Sequence, residues 1–130
     1  MDIDVLEREH TLATAVRRYD ELRHRDSLAD PDDPEGPAPL GRAEALELLA
    51  LGEVIARKAG RGRQLTVRTA RSTGASWTEI GRSLGTTRQS AWEAHRRWID
   101  GQVAQRGATG EIGFDEVDAA AARALAGDRP

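Results

Sequence analysis

Apolar positions recur along this chain at helical spacing. Val5, Leu12, Val16 and Tyr19 fall on one narrow stripe, which Ala15 and Leu22 extend. They predict one long helix over residues 2–28, with Asp2, Asp4, Glu7 and Glu9 near its positive end. The stripe comes close to a seven-residue repeat, although Arg8 and Asp26 stand where that repeat wants apolar residues. Such a helix needs a partner, either a second copy or the next helix. Residues 29–39 hold four prolines and read as an acidic linker. Its Asp30, Asp32, Asp33 and Glu35 lack the closing Glu of a calcium loop, so a solvated linker is the reading.

The strongest helix covers residues 40–59. Leu40, Leu46, Leu48, Leu49, Leu51, Val54 and Ile55 point in several directions, which predicts burial on more than one side and a central position. Gly60 and Gly62 should break or bend the chain. A shorter basic helix follows over 63–73, with Leu65, Val67 and Ala70 inward, Arg68 and Arg71 sharing a face, and Gly74 ending it. Four glycines in residues 101–113 suggest a flexible stretch. A final helix should then run to about Ala126, with Asp115 as its N-cap.

Between these lies the informative segment, Ser76 to Trp98. Ser76 with Glu79, and Thr86 with Gln89, form two capping-box patterns ten residues apart. Trp77, Ile80, Gly81 and Leu84 mark an inward face on the first helix; Thr87, Ala91, Ala94 and Trp98 mark one on the second. Gly85 supplies the turn. Two short helices joined this way have the form of a helix-turn-helix.

The run Trp77-Thr-Glu-Ile-Gly, followed by Leu84-Gly-Thr-Thr-Arg-Gln-Ser-Ala-Trp92, resembles the helix-turn-helix superfamily. In particular it resembles the trihelical, homeodomain-like or sigma-factor region-4-like units of small actinobacterial regulators. The resemblance covers about residues 63–99, or 40–99 with the preceding helix. The family pattern usually has Ala where this chain has Gly81, a departure not expected to endanger the fold. It implies a recognition helix over 87–99 that enters the major groove of double-stranded DNA N-terminus first. Arg88 and Gln89 would then read guanine and adenine, and Glu93 a cytosine amino group unless Arg97 pairs with it. Thr86 and Thr87 would hold phosphate at the helix start, and Arg68, Arg71, Arg82 and Arg96 would grip the backbone. Trp92 lies between core edge and DNA contact; Trp77 and Trp98 read as core, and His95 as structural or surface.

Composition agrees with an all-α chain: it is rich in Ala, Arg and Glu with few β-branched runs, and five residues are aromatic. The fold expected is a trihelical helix-turn-helix core over 40–100, flanked by a long N-terminal helix (1–28), the linker (29–39), and a Gly-rich linker with a C-terminal helix (101–130). There is no Cys, hence no thiol nucleophile or Cys-bound metal. No phosphate loop, nucleophile elbow or metal-ligand motif is present, so neither catalysis nor a cofactor is expected. No apolar run could span a bilayer and no signal peptide opens the chain, which points to the cytoplasm and the nucleoid.

The net charge of −3 argues against nucleic acid when taken whole. Residues 57–97, however, carry ten basic and two acidic side chains, a net +8, against −11 elsewhere. The expectation is therefore a sequence-specific transcriptional regulator, binding as a homodimer on a near-palindromic site. The alternative is an adaptor that docks on RNA polymerase or a sigma factor.

Overall fold

The computed structural model describes residues 2–130. Those residues form seven α-helices and no strand: α1 (Ile3–Glu9), α2 (Leu12–Leu28), α3 (Arg42–Arg61), α4 (Arg63–Ser72), α5 (Trp77–Leu84), α6 (Arg88–Thr109) and α7 (Glu116–Ala126). The chain divides into two compact units, one ending at Arg61 and the other running from Gly62 to Pro130. None of the helices is long and apolar enough to cross a membrane.

In the first unit, α1 and α2 each pack against α3. The single helix expected over 2–28 is in fact two. His10 is extended (φ −106°, ψ 139°), and Thr11 opens α2 with a reciprocal cap. The Thr11 hydroxyl accepts from the Thr14 N–H at 3.2 Å, and the Thr14 hydroxyl accepts from the Thr11 N–H at 3.0 Å. Satisfying the first donors of α2 in this way favours a break over continuity. Leu6, Ala15, Leu22, Leu48, Leu51 and Val54 make the core. Charged pairs surround it. Arg18 grips Glu47 with two bonds of 2.9 and 3.0 Å, and Arg25 pairs with Glu44. Glu7 receives Arg57 and Arg61. The Arg18 bonds hold the Glu47 carboxyl below the usual carboxylate range, against the opposing effect of its partial burial.

Within its own unit α3 is buried along one side, and the second buried side expected for it is not covered there. Leu48, Leu51 and Val54 are buried, but Leu46 is 43% and Leu49 72% exposed. The helix also passes through Gly60 to Arg61, so the break falls at Gly62 alone. With α3 in the first unit, the boundary expected at residue 40 moves to 62.

In the second unit, α5 and α7 both pack on α6, and α4 packs on α6 and α7. Val67, Trp77, Ile80, Ala91, Ile99, Ala122 and Ala126 form the core, edged by Trp92, Trp98 and Phe114. Residues 101–113 are not a flexible stretch. Helix α6 continues through Gly101 and Gly107 to Thr109, and the chain turns at Gly110 in the left-handed region (φ 75°). The intervening Gln, Val, Ala and Arg sustain the helix, and each interior glycine costs only about 1 kcal/mol. Gly113 has a stricter role: a Cβ there would lie 2.2 Å from the Gln102 carbonyl oxygen. The close approach lets the Phe114 N–H reach that same oxygen at 2.9 Å and returns the chain along α6. Asp115 caps α7, as its position in the sequence predicts, accepting from the Asp118 N–H at 2.8 Å.

Helix α7 is no appendage. The final carbonyls of a helix have no partner within it. Here three side chains from three other helices supply them. Arg71 Nε of α4 donates to the Leu125 oxygen at 3.1 Å. Trp77 Nε1 of α5 donates to the Ala126 oxygen at 2.8 Å, and Trp92 Nε1 of α6 to the Gly127 oxygen at 3.1 Å.

Candidate nucleic-acid interface

Helices α5 and α6 are joined by Gly85, Thr86 and Thr87. Ser76 and Glu79 form the predicted capping box at the start of α5. Gly85 ends that helix in the left-handed region (φ 69°), and the Thr86 N–H returns to the Gly81 oxygen at 2.8 Å. The second predicted box, Thr86 with Gln89, does not form. Thr87 is the cap instead, accepting from the Ser90 N–H at 3.0 Å while its hydroxyl donates to the Ser90 hydroxyl at 2.9 Å. Both Thr–x–x–polar spacings fit a cap; the left-handed Gly85 and the Thr86 return bond set the start one residue later. The shift leaves Thr86 and Gln89 exposed and makes Arg88 the first residue of α6.

Gly81 fixes this turn. A Cβ at that position would meet the Thr86 oxygen at 2.9 Å and the Arg88 nitrogen and Thr87 carbonyl carbon at 3.0 Å, all backbone atoms. The Ala of the resembling pattern would therefore push the turn away. Gly81→Ala is expected to cost about 1–3 kcal/mol, the usual range for overpacking, despite the better helix propensity of Ala. A lower thermal midpoint would show it; an unchanged or raised midpoint would refute the close approach.

Arg82 and Arg88 are exposed, as are Thr86, Thr87 and Gln89. Gln89 Nε2 donates to Glu93 Oε1 at 3.3 Å, and the same oxygen receives Arg129 at 2.6 Å. Glu93 therefore pairs with the C-terminal residues, not with Arg97. Arg96 lies half-buried over the Trp92 ring, 5.7 Å from its centroid. The remaining two arginines are engaged elsewhere. Arg68 stacks over Trp98 and Phe114, 5.8 Å from each centroid. Arg71, besides its bond to Leu125, donates through Nη1 to the Ala75 oxygen at 3.1 Å and covers Trp77 at 5.1 Å. Those engagements make Arg71 part of the scaffold and correct its expected phosphate role. The clue available in sequence was the proximity of Arg71 to Trp77; its bond to Leu125, 54 residues on, carried no local signal.

The inward stripe of α6 is also rotated from expectation. Ala91, His95 and Ile99 are buried; Ala94 and Trp98 are half-buried and Thr87 is exposed. On α5, Trp77, Ile80 and Gly81 are buried but Leu84 is 40% exposed. His95 is 1% exposed, and its Nδ1–H donates to Gln64 Oε1 at 2.9 Å. Its ring stacks on Trp98 (5.3 Å) and tilts against Trp77 (5.7 Å). Burial, followed by the positive charges of Arg68 and Arg71, holds its pKa down at about 4. The unfolded chain, with a value near 6.5, takes up a proton first as pH falls. The neutral ring's contribution is thus complete above 6.5 and lost as pH drops through about 4, a total of about 3 kcal/mol. Denaturant titrations across this window should show the loss in the native chain and flatten it in His95→Leu. Equal slopes in both would refute the assignment.

The charge pattern changes when it follows the units. Arg57, Lys58 and Arg61 belong to the first unit. The second carries ten basic and eight acidic side chains, a net +2. Its charge is uneven, with seven basic and two acidic residues over 62–98 and the other six acids after Trp98.

Comparison with family models, curated proteins and solved structures gives no match for the chain. The functional reading therefore rests on the residues themselves.

Proposed function

We propose that residues 62–130 are a helix-turn-helix unit that binds double-stranded DNA in a sequence-specific manner, and that the protein regulates transcription as a homodimer. The observation that carries this reading is the exposed pair Arg88 and Gln89 on the first turn of α6, behind a turn braced by Gly81. A three-residue, Gly-containing connection between two packed helices is the form that places a recognition helix in the major groove. Helices α4, α5 and α6 are the trihelical core in this reading, and α7 closes it. Arg88 reads guanine through O6 and N7; Gln89 reads adenine through N6 and N7. The Thr86 hydroxyl and the backbone N–H groups at the start of α6, that of Thr87 among them, receive a phosphate, while Ser90 holds the Thr87 hydroxyl. Arg82 and Arg96 contact the flanking backbone. Glu93 reaches a cytosine amino group only when Arg129 leaves it. The resemblance of Ser76–Trp98 to homeodomain-like and sigma-factor region-4-like units supports the same reading.

The test is fluorescence anisotropy on fragments selected from a random DNA pool, repeated across salt concentrations. Two arginine–phosphate contacts per copy, four per dimer, should give a slope of log affinity against log salt of about −3 to −4. Failure of the pool to enrich any sequence, together with a flat salt response, would overturn the proposal. It would leave the adaptor reading, docking on RNA polymerase or a sigma factor.

A further inference from the structure

Helix α3 presents an outward stripe that its own unit does not cover. Arg42, Leu46, Leu49, Glu53, Ala56 and Gly60 are all exposed, and their spacing of four, three, four, three and four residues is that of a coiled-coil seam. Leu49 is the most exposed large hydrophobic side chain among the described residues of the first unit, at 72%. Beside it lies a groove lined by Leu40, Ala45 and Leu48, with Arg23 and Asp26 at its rim.

We infer that this stripe pairs antiparallel with the same stripe of a second copy. In antiparallel packing the two seam positions alternate across the interface. One register, in which contacting residue numbers sum to 95, satisfies every position between Arg42 and Glu53. Leu46 meets Leu49 of the second copy and Leu49 meets its Leu46. Arg42 meets Glu53, and Glu53 meets Arg42. Four leucines thus form the centre, and an ion pair closes each end. A twofold interface requires such reciprocity, since the same patch serves on both sides. Sliding the helices by one turn sets Leu46 against Glu53 and Arg42 against Arg57, which loses both the apolar centre and the charge match. The groove beside Leu49 gives the opposing leucine a place to seat. Glu53 also bonds Arg57 at 3.3 Å, an exposed contact that leaves its second oxygen for the partner.

This inference rests on the homodimer within the proposed function but not on DNA binding. Sedimentation of the full chain without DNA, over a concentration series, tests it. The mass should rise from 14.2 kDa towards twice that value. Leu49→Glu should abolish the rise while leaving helix content unchanged. Arg42→Glu and Glu53→Arg should each weaken pairing at least tenfold, because each sets like charges together at both ends. Mixed in equal amounts, those two chains should form a heterodimer, and the double variant on one chain should regain self-association. A native chain monomeric at every concentration would overturn the inference. So would a dimer indifferent to Leu49→Glu, or charge variants whose effects are not restored by mixing. Anisotropy on the Leu49→Glu chain separates the two readings: weakened but salt-dependent DNA binding leaves the DNA proposal standing when pairing is lost.

Discussion

Deleting residues 125–130 is expected to unfold the second unit. The deletion removes the carbonyl acceptors of Arg71, Trp77 and Trp92, together with the Arg129–Glu93 pair. Trp77 is buried, and Trp92 and Arg71 are half-buried. A donor left without its acceptor in such surroundings costs about 1–3 kcal/mol. Three of them, with the lost burial of Ala126, amount to on the order of 5 kcal/mol. At roughly 0.05–0.15 kcal/mol per residue, a unit of about 70 residues has only about 3–10 kcal/mol of stability. Amide hydrogen exchange should show protection lost across α4, α5 and α6, while α2 and α3 keep theirs. Retained protection in α5 would mean that α7 merely caps a core already complete without it. Trp77→Phe offers a graded version, keeping most of the ring's burial and removing one of the three bonds.

The double variant Arg88→Ala, Gln89→Ala should behave in the opposite way, with an intact fold and lost recognition. Neither side chain is buried, and the sole polar contact between them and the rest of the unit is the weak exposed bond from Gln89 to Glu93. The cap on α6 belongs to Thr87 and Ser90 and is untouched. Each bidentate base contact is worth about 1–3 kcal/mol of discrimination. Loss of both should lower affinity for selected fragments by about 30-fold to 10⁴-fold per half-site, while binding to random DNA falls far less. Equal losses on selected and random DNA would make Arg88 a phosphate contact. An unchanged affinity for both would remove α6 from the interface.

The features legible in sequence were local ones. Ser76 with Glu79, Asp115 as the cap of α7, and the glycine at 85 each act within a few residues, and each stands where the sequence places it. Choices between adjacent competing signals were harder. Thr86 and Thr87 both head a capping pattern, and tertiary placement of the Thr86 N–H on Gly81 selected the second. Long-range consequences were not legible at all. Nothing near Arg71 announces a bond to Leu125, and nothing near Arg57 or Arg61 announces Glu7. The basic segment therefore looked more concentrated than its unit proves to be. A count of glycines does not separate their roles: Gly101 and Gly107 lie in open space within α6, where a helix tolerates them, whereas Gly113 is held to its place by the backbone of Gln102.

The aromatic residues divide unevenly between the units, and that division has an optical consequence. All three tryptophans lie in the second unit, and the one tyrosine lies in the first. Red-edge excitation, which selects indole over phenol, would thus follow the fate of one half of the chain while the other half stays dark. Trp92 adds a finer signal, because its indole is tethered to Gly127. Detachment of the last four residues should change its emission before the helices themselves give way, so the native chain carries its own probe for the state of its C-terminal end.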